Sequence, residues 1–408
     1  MNLLFILPHV PWPLDRGVYQ RTFHTLRELS RRHTVDLVAI DENGASARHL
    51  PVFQEFCREV KFIPFVHPPW EKLFPHRLFQ PLPASVNHWR CPELTTVLER
   101  QLSKNSYDLV HIMDMVLAPY VLEHRHQVPF VMDRSRVDLQ FQLMEHRALN
   151  FTWKEKLLRS EGYIKLWFFE KKVARLASME VVCGPDDETF LRRYINADMP
   201  VTVMVNGVDL EYFRPGAVPG TRDELPTIVF CGAMDYNPNI DALNWYFTEI
   251  HARVVADVPE VRVLIVGKDP VPEVRARASL PGVTVTGSVP DVRPWYLKAW
   301  VQMVPLRIGG GTRLKIVESL AMGTPVVSTT IGAQGLNLVH NQDALLADTA
   351  EDFAAQLIRS LTDPALRENV RETGMATARE RFGWPAIVRG LEKRYEELIQ
   401  RLRGSKTV

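Results

Sequence analysis

Short runs of Val, Ile and Leu alternate along this chain with longer segments in which apolar residues recur at helical spacing. The first half predicts strands at residues 3–7, 35–40, 60–65, 109–113, 130–132, 180–183 and 201–205. The second half predicts strands at 228–231, 261–266, 283–286, 301–304, 325–328 and 344–346. Nearly continuous apolar strands separated by helices are typical of parallel sheets covered on both faces. The pattern therefore predicts an α/β protein with two doubly wound, Rossmann-like domains.

A cluster of turn-forming residues separates the two blocks of strands. The cluster consists of Pro215, Gly216, Pro219 and Gly220. We expect the domains to join in this region, with the first covering residues 1–205 and the second 206–383. Ligands of open α/β sheets bind beyond the carboxyl ends of the strands, so we expect a site in the cleft between the domains.

The segment 307–336 combines a glycine loop, a helix pattern and an apolar strand. Gly309, Gly310 and Gly311 lead into Thr312, which is a suitable helix N-cap. The apolar helix face consists of Ile316, Val317, Leu320 and Ala321, and the helix is expected to end at Gly323 and Pro325. Glycines let the backbone approach an anion, and the start of a helix presents free N–H groups. The segment therefore predicts a phosphate-binding loop.

Two cations, Arg313 and Lys315, lie in the first turn of this predicted helix. Positive charge at a helix start opposes the helix dipole, and a bound anion would remove that conflict. Lys315 and Glu318 are three residues apart, so they share one face of the helix with Thr312. The alternative interpretation is a solvated Lys–Glu pair that follows a flexible loop.

Composition excludes several classes of protein. Of the 408 residues, 46% are hydrophobic, which is ample for sizeable cores, and a net charge of +1 gives no reason to expect nucleic-acid binding. The four cysteines contain no C-x-x-C pair, which argues against a disulfide framework and a zinc site and suits a reducing cytoplasm. The N-terminal segment lacks a basic region and is broken by Pro8, so it predicts a strand rather than a signal peptide. No apolar run reaches the roughly 18 residues that span a bilayer, so any membrane contact should be peripheral.

The glycine loop and the helix after it resemble the donor site of the GT-B glycosyltransferases, specifically the retaining family 4. The matching residues are the sequence GGGT at 309–312 and ESLAMGTPVV at 318–327. Further segments that fit the family in the same order are NGVD at 206–209 and the stretches 228–239, 263–267 and 285–291. Within the family, the chain is most similar to the exopolysaccharide sugar transferases associated with the PEP-CTERM/exosortase system.

This resemblance implies a GT-B fold, in which two domains face each other across a cleft and a last helix, about 384–408, crosses back to the N-terminal domain. It implies transfer from a UDP- or GDP-sugar to a glycan or lipid-linked acceptor, with retention and without a cofactor, in exopolysaccharide or cell-surface polysaccharide biosynthesis. The implied donor-binding residues are Gly232, Val289, Gly309, Gly310, Gly311, Thr312, Arg313, Lys315 and Glu318. Glu318 would bind the ribose hydroxyls, and the loop 287–291 would contact the base.

The chain departs from the family pattern at three places. The family often has a further glutamate eight residues before Glu318, where this chain has Gly310. It often has an arginine and a lysine in the stretch that corresponds to 233–239, which contains neither. Met113 stands where the family usually has an active-site histidine. The two cations of the helix start are therefore expected to hold the phosphates.

Candidates for acid–base catalysis lie at the ends of strands in the N-terminal domain. Asp114 and Asp133 are the first choices, and Asp138 and His111 are weaker ones. An aspartate at a strand end is also a common capping residue. In retaining transfer, moreover, the leaving phosphate can itself serve as the base.

Arg16 and Gly17 follow the first strand and are expected to contact a phosphate of the donor or the acceptor. The alternative for Arg16 is a surface residue in a turn. The chain has no D-x-D motif, so no metal site is expected. Fixed cations and helix N–H groups would then stabilise the charge of the leaving diphosphate.

Two aromatic and basic segments, 62–89 and 150–176, suit a peripheral membrane surface that receives a lipid-linked acceptor. The alternative is an interdomain helix packed in the interior. We expect a cytoplasmic location, with contact to the inner face of the membrane. Two other functions stay open: an epimerase or phosphorylase of the same two-domain build, and a non-catalytic subunit that binds nucleotide sugars.

Overall fold

The computed structural model describes residues 1–14, 16–42, 44–68, 79–148, 153–308 and 313–404. These residues form two compact units, of which the first comprises Met1–Met204 with Val388–Val408 and the second comprises Val205–Ile387. Each unit contains one parallel β-sheet with its own apolar core.

The first unit contains strands β1 (Asn2–Leu7), β2 (Thr34–Asp41), β3 (Glu59–Pro64), β4 (Leu109–Met113), β5 (Phe130–Asp133), β6 (Met179–Val182) and β7 (Val201–Val203). Its helices are α1 (Gly17–Ser30), α2 (Leu50–Gln54), α3 (Ala84–Asn87), α4 (Pro92–Lys104), α5 (Ala118–Leu122), α6 (Asp138–Ala148), α7 (Trp153–Leu176) and α8 (Pro185–Tyr194). The strand order in the sheet is β3-β2-β1-β4-β5-β6-β7.

The second unit contains strands β8 (Thr227–Cys231), β9 (Arg262–Val266), β10 (Val283–Val285), β11 (Val301–Val304), β12 (Val326–Ser328) and β13 (Leu345–Leu346). Its helices are α9 (Asn237–Trp245), α10 (His251–Asp257), α11 (Pro272–Ala276), α12 (Arg293–Lys298), α13 (Leu314–Ala321), α14 (Ala350–Thr362) and α15 (Pro364–Thr377). The strand order is β10-β9-β8-β11-β12-β13.

These two doubly wound parallel sheets confirm the predicted α/β class. Each strand predicted from the sequence is present in the described residues, with ends that differ from the predicted ones by at most two positions. The seventh strand, for example, ends at Val203 instead of residue 205. The Met204 amide still donates a hydrogen bond to the Val182 carbonyl at 2.8 Å, while the Met204 carbonyl accepts one from the Arg21 guanidinium.

Both sheets reverse the direction of their strand order at one point. In the first sheet the reversal lies between β1 and β4, and in the second it lies between β8 and β11. A crevice opens at the carboxyl ends of the strands at such a switch point, and ligands of open α/β sheets bind there. The loops after β1, β4, β8 and β11 are therefore the positions where each unit is built to receive a ligand.

The last helix, α16, spans Trp384–Gly404, and was predicted at about 384–408. Its later part packs within the first unit. Glu392 accepts hydrogen bonds from Arg32 at 2.6 Å and lies 2.7 Å from His33 Nε2. The buried Tyr395 hydroxyl lies 2.5 Å from Nδ1 of His111, which belongs to β4.

Candidate functional site

Two glycines, Gly232 after β8 and Gly267 after β9, let the backbone approach closely at the carboxyl ends of these strands. A Cβ atom on Gly267 would lie 1.6 Å from the carbonyl oxygen of Gly232, so no side chain fits there. A Cβ atom on Gly232 would lie 2.7 Å from Asn239 Nδ2 and 3.0 Å from Lys315 Nζ. Gly232, which was predicted to bind the donor, thus lies directly against the predicted phosphate lysine.

The residues Gly309, Gly310, Gly311 and Thr312 lie outside the described part of the chain. The helix after them, α13, begins at Leu314, and Arg313 holds its N-cap position. The N-cap is therefore one residue later than the predicted cap, Thr312. The remainder of the helix matches the prediction, because Ile316, Val317, Leu320 and Ala321 are all buried.

Lys315 is a desolvated cation at the start of α13. Its Nζ donates a hydrogen bond to Asn239 Oδ1 at 2.8 Å and lies 4.2 Å from the centroid of the Phe230 ring. Burial lowers the pKa of Lys315 to about 7, and the nearby charge of Arg313 acts in the same direction. Burial also lowers the pKa of Arg313. Two cations are therefore held together in a site that a bound anion would stabilise.

Glu318 lies one helical turn after Lys315. Its Oε2 accepts a hydrogen bond from the Tyr296 hydroxyl at 3.0 Å, and burial raises its pKa to about 7. The Tyr296 side chain is fully buried on α12, and burial raises its pKa well above the usual value. No sequence pattern indicated this contact, because Tyr296 belongs to an otherwise ordinary short helix.

The loop 287–291, predicted to contact the base, is anchored at its end. Asp291 accepts hydrogen bonds from Arg293 Nη2 at 2.7 Å and from Arg293 Nε at 3.0 Å. Val289 is partly buried and packs against the core of the unit. Because the loop follows β10, its backbone lies at the carboxyl edge of the sheet.

In the first unit, Arg16 holds the N-cap position of α1 and Gly17 is the first helical residue. Arg16 lies beside a cavity of about 230 Å³, lined by residues that include His9, Trp12, Arg16, Tyr19, Asp41 and Glu42. The His9 ring lies 4.8 Å from the Tyr19 ring, centroid to centroid. Among the described residues, His9 Nε2 is buried without a hydrogen-bond partner, and burial lowers the pKa of His9 to about 4.

Asp114 follows β4 at the switch point of the first sheet, with backbone angles φ 63° and ψ 149°. Such angles are strained for a residue with a side chain, and strain of this kind is concentrated at functional sites. Its Oδ1 accepts hydrogen bonds from the Ser135 amide at 3.1 Å and the Ser135 hydroxyl at 2.7 Å. Burial, assisted by the charge of Asp138, raises the pKa of Asp114 to about 6.

Asp133, the second predicted catalytic aspartate, is enclosed in the first unit with 1% of its surface exposed. Its two oxygens accept hydrogen bonds from Arg21, at 2.9 Å from Nη2 and 3.3 Å from Nε, and His111 Nε2 lies 3.4 Å away. Burial alone would raise the pKa of Asp133, but Arg21 and His111 lower it below the usual value. The structure thus places Asp133 in a buried ion pair with Arg21.

Comparison with known proteins supports the resemblance for the second unit. Residues 225–363 match the family model of the glycosyl transferases group 1. The chain is similar to an uncharacterized 44.6 kDa protein in the cps region of Klebsiella pneumoniae, with 24% identity over 59% of this chain and 64% of that protein. It is also similar to D-inositol 3-phosphate glycosyltransferase from Thermobispora bispora, with 27% identity over 50% of this chain. The similarity spans about half of that relative, 51%.

Solved structures show the fold over nearly the whole chain. Sucrose-phosphate synthase from Thermosynechococcus elongatus superposes with a TM-score of 0.70 and 20% identity, over 98% of this chain and 100% of that one. The Anabaena protein HepE in complex with UDP gives a TM-score of 0.64 and 15% identity, over 97% of this chain and 100% of that one. The two parallel-sheet domains thus have the GT-B fold that the sequence predicted.

Proposed function

We propose that this protein is a glycosyltransferase that moves a sugar from a nucleoside-diphosphate sugar to a hydroxyl group of a glycan or lipid-linked acceptor. The observation that carries the proposal is the pair of desolvated cations, Arg313 and Lys315, at the start of a helix that follows a glycine loop. The family match at 225–363 covers this same region. UDP is the first choice of nucleotide, since a structure with the same fold contains UDP.

The donor diphosphate would lie against Lys315, Arg313 and the first N–H groups of α13. Its charge would return both cations to an environment that favours their protonated state. Glu318, one turn further along, would accept hydrogen bonds from the ribose hydroxyls. The diphosphate is also the leaving group, so the same cations would stabilise the charge that develops as the glycosidic bond breaks.

The acceptor would bind in the first unit. Asp114 would orient the reacting hydroxyl, and its strained backbone and raised pKa support a role in contact with substrate. The cavity beside Arg16 would hold a neighbouring part of the acceptor or a phosphate. Asp133, which is enclosed with Arg21, would keep the end of β5 in place rather than transfer a proton.

Transfer would proceed without a metal ion and with retention of configuration. The described residues contain no group of three or more His, Cys, Asp and Glu side chains suited to a metal. The cations of α13 supply the positive charge that a metal would otherwise bring to the diphosphate. Retention rests on the resemblance to family 4.

A peripheral membrane surface on α7 would bring the enzyme to a lipid-linked acceptor at the inner face of the membrane. Trp153, Ile164 and Phe168 are 71%, 58% and 61% exposed, and their spacing places them on one face of the helix. The helix sequence contains seven lysines and arginines against three glutamates. Such a face suits a bilayer with anionic headgroups. The other aromatic and basic segment is 62–89, and its residues 69–78 lie outside the described part of the chain.

The membrane contact would be peripheral. Within the described ranges, no helix is long and apolar enough to cross a bilayer. The product would be an exopolysaccharide or cell-surface polysaccharide. The resemblance to the exopolysaccharide sugar transferases supports that pathway.

Calorimetry of UDP binding tests the donor site. Lys315→Ala should weaken UDP binding by about 1.5–3 kcal/mol, the range for a hydrogen bond to a charged group. Lys298→Ala is the matched control, because Lys298 is an exposed lysine on α12 of the same unit. Equal UDP affinity in Lys315→Ala and the unaltered protein would contradict the donor site.

Product analysis separates the transferase from its alternatives. After a thermal-shift screen has identified the bound nucleotide sugar, incubation with acceptor should yield a glycosylated product and free nucleoside diphosphate. Release of UDP in the absence of acceptor, together with an altered sugar, would indicate an epimerase. Tight donor binding without turnover would indicate a non-catalytic subunit.

A further inference from the structure

Tyr212 presents an aromatic ring to solvent beside the donor site of the second unit. It follows the segment Asn206 to Asp209 and is 43% exposed. Its backbone is fixed, because the Tyr212 amide donates a hydrogen bond to Asp209 Oδ1 at 3.2 Å and the next side chain, Phe213, is buried. Tyr212 is thus an exposed aromatic residue on a fixed backbone.

Arg293 covers one face of that ring. Its guanidinium carbon lies 3.5 Å from the ring centroid, and its Nη1 donates a hydrogen bond to the Tyr212 carbonyl at 3.1 Å. The rest of the guanidinium is held by Asp291, as described above. Arg293 therefore covers one face of the ring and the Phe213 ring contacts it with centroids 5.0 Å apart, while 43% of the residue stays exposed.

The helix α12 links this ring to Glu318. Arg293 and Tyr296 are three residues apart on α12, so they lie on the same side of the helix about one turn apart. Arg293 contacts Tyr212, and Tyr296 donates to Glu318. The tyrosine ring and the proposed ribose-binding carboxylate are thus contacted by side chains one turn apart on the same helix. Besides burial, the charges of Asp291 and Glu318 raise the pKa of Tyr212, as expected for neighbouring groups.

We propose that the exposed face of Tyr212 is the stacking platform for the nucleobase of the donor. This inference rests on the proposed function, because it takes the ribose to be bound at Glu318. A base is joined directly to its ribose, so a flat surface next to the ribose carboxylate is where its ring would lie. Stacking on an aromatic ring does not distinguish between bases, so Tyr212 contributes affinity for any nucleoside. The backbone groups of the loop 287–291 would then discriminate between bases.

Calorimetry with two ligands tests the platform. Wild-type protein, Tyr212→Leu and Tyr212→Phe are each titrated with UDP and with inorganic pyrophosphate. Tyr212→Leu should weaken UDP binding about tenfold or more, while pyrophosphate binding stays within about twofold. Tyr212→Phe should retain UDP affinity, because the ring remains. Tyr194→Leu is the matched control, since it removes another exposed tyrosine that lies on α8 of the first unit.

The outcomes distinguish the two proposals. If the unaltered protein binds neither UDP nor GDP, the nucleotide-sugar proposal fails and the platform fails with it. If the unaltered protein binds UDP and Tyr212→Leu binds it equally well, only the platform is refuted. An equal loss of UDP and pyrophosphate affinity in Tyr212→Leu would also refute the platform, because Tyr212 would then support the phosphate site instead of contacting the base.

Discussion

Donor binding should follow a bell-shaped dependence on pH, because Lys315 and Glu318 change charge in the same range. In the chain without ligand, burial lowers the pKa of Lys315 and raises the pKa of Glu318, each to about 7. The proposed complex requires a protonated Lys315 beside the diphosphate and an ionised Glu318 beside the ribose. Affinity should therefore be highest near neutral pH and fall on both sides.

Linkage of one proton to binding sets the steepness of each side. Between about pH 7 and about pH 8, the protonated fraction of Lys315 falls from about one half to about one tenth, so affinity should drop about fivefold. Each later unit should lower it about tenfold more. On the acidic side, the ionised fraction of Glu318 falls in the same way. Lys315→Ala should remove the alkaline decrease, and Glu318→Gln should remove the acidic one.

The assay is calorimetric titration with UDP from about pH 6 to about pH 9, with Lys298→Ala as the control variant. Ionisation of UDP itself occurs in every titration, so it cancels when variants are compared. Proton uptake, measured from the dependence of the binding heat on the buffer, should rise with pH in the unaltered protein and be absent in Lys315→Ala. Parallel alkaline profiles for these two proteins would refute the assignment of Lys315 to the diphosphate.

Further predictions concern catalysis, metal dependence and membrane contact. Glu318→Gln should raise the donor KM more than it lowers kcat, because ribose binding is common to the ground and transition states, whereas Asp114→Asn should lower mainly kcat. A Glu318→Gln enzyme with normal KM and a kcat reduced about a hundredfold would reverse these roles in steady-state kinetics. Activity should persist in EDTA, and a loss that Mg²⁺ or Mn²⁺ restores would show that a metal takes part. The double variant Ile164→Ser, Phe168→Ser should sediment less with anionic vesicles than the unaltered protein. The control variant Tyr194→Ser should sediment as much as the unaltered protein. Equal sedimentation of all three proteins would argue against the α7 surface.

The sequence predicted the sheets because apolar runs report burial on both faces of a strand directly. The strand β11, for example, has the predicted ends, and each of its residues is buried. The rule that ligands bind at the carboxyl ends of strands also predicted that Asp114 and the glycine loop belong to the site. Local sequence pattern was therefore sufficient wherever the signal lay within one element.

Partners that come from distant parts of the chain could not be predicted in this way. Arg21 pairs with Asp133 from 112 positions earlier, and Tyr296 reaches Glu318 from another helix. No local pattern indicates which polar residue will be enclosed by such a pairing. The helix cap differed for a smaller reason, since a shift from Thr312 to Arg313 lies within the usual uncertainty of helix ends.

The place of the last helix determines the order in which the two units can be completed during synthesis. The second unit lies wholly within Val205–Ile387, whereas the first also needs Val388–Val408. On the ribosome, the second unit therefore has its entire sequence before the first has received Glu392 and Tyr395. Until then, Arg32, His33 and His111 lack their partners from the last helix, so the first unit is the one that synthesis completes last.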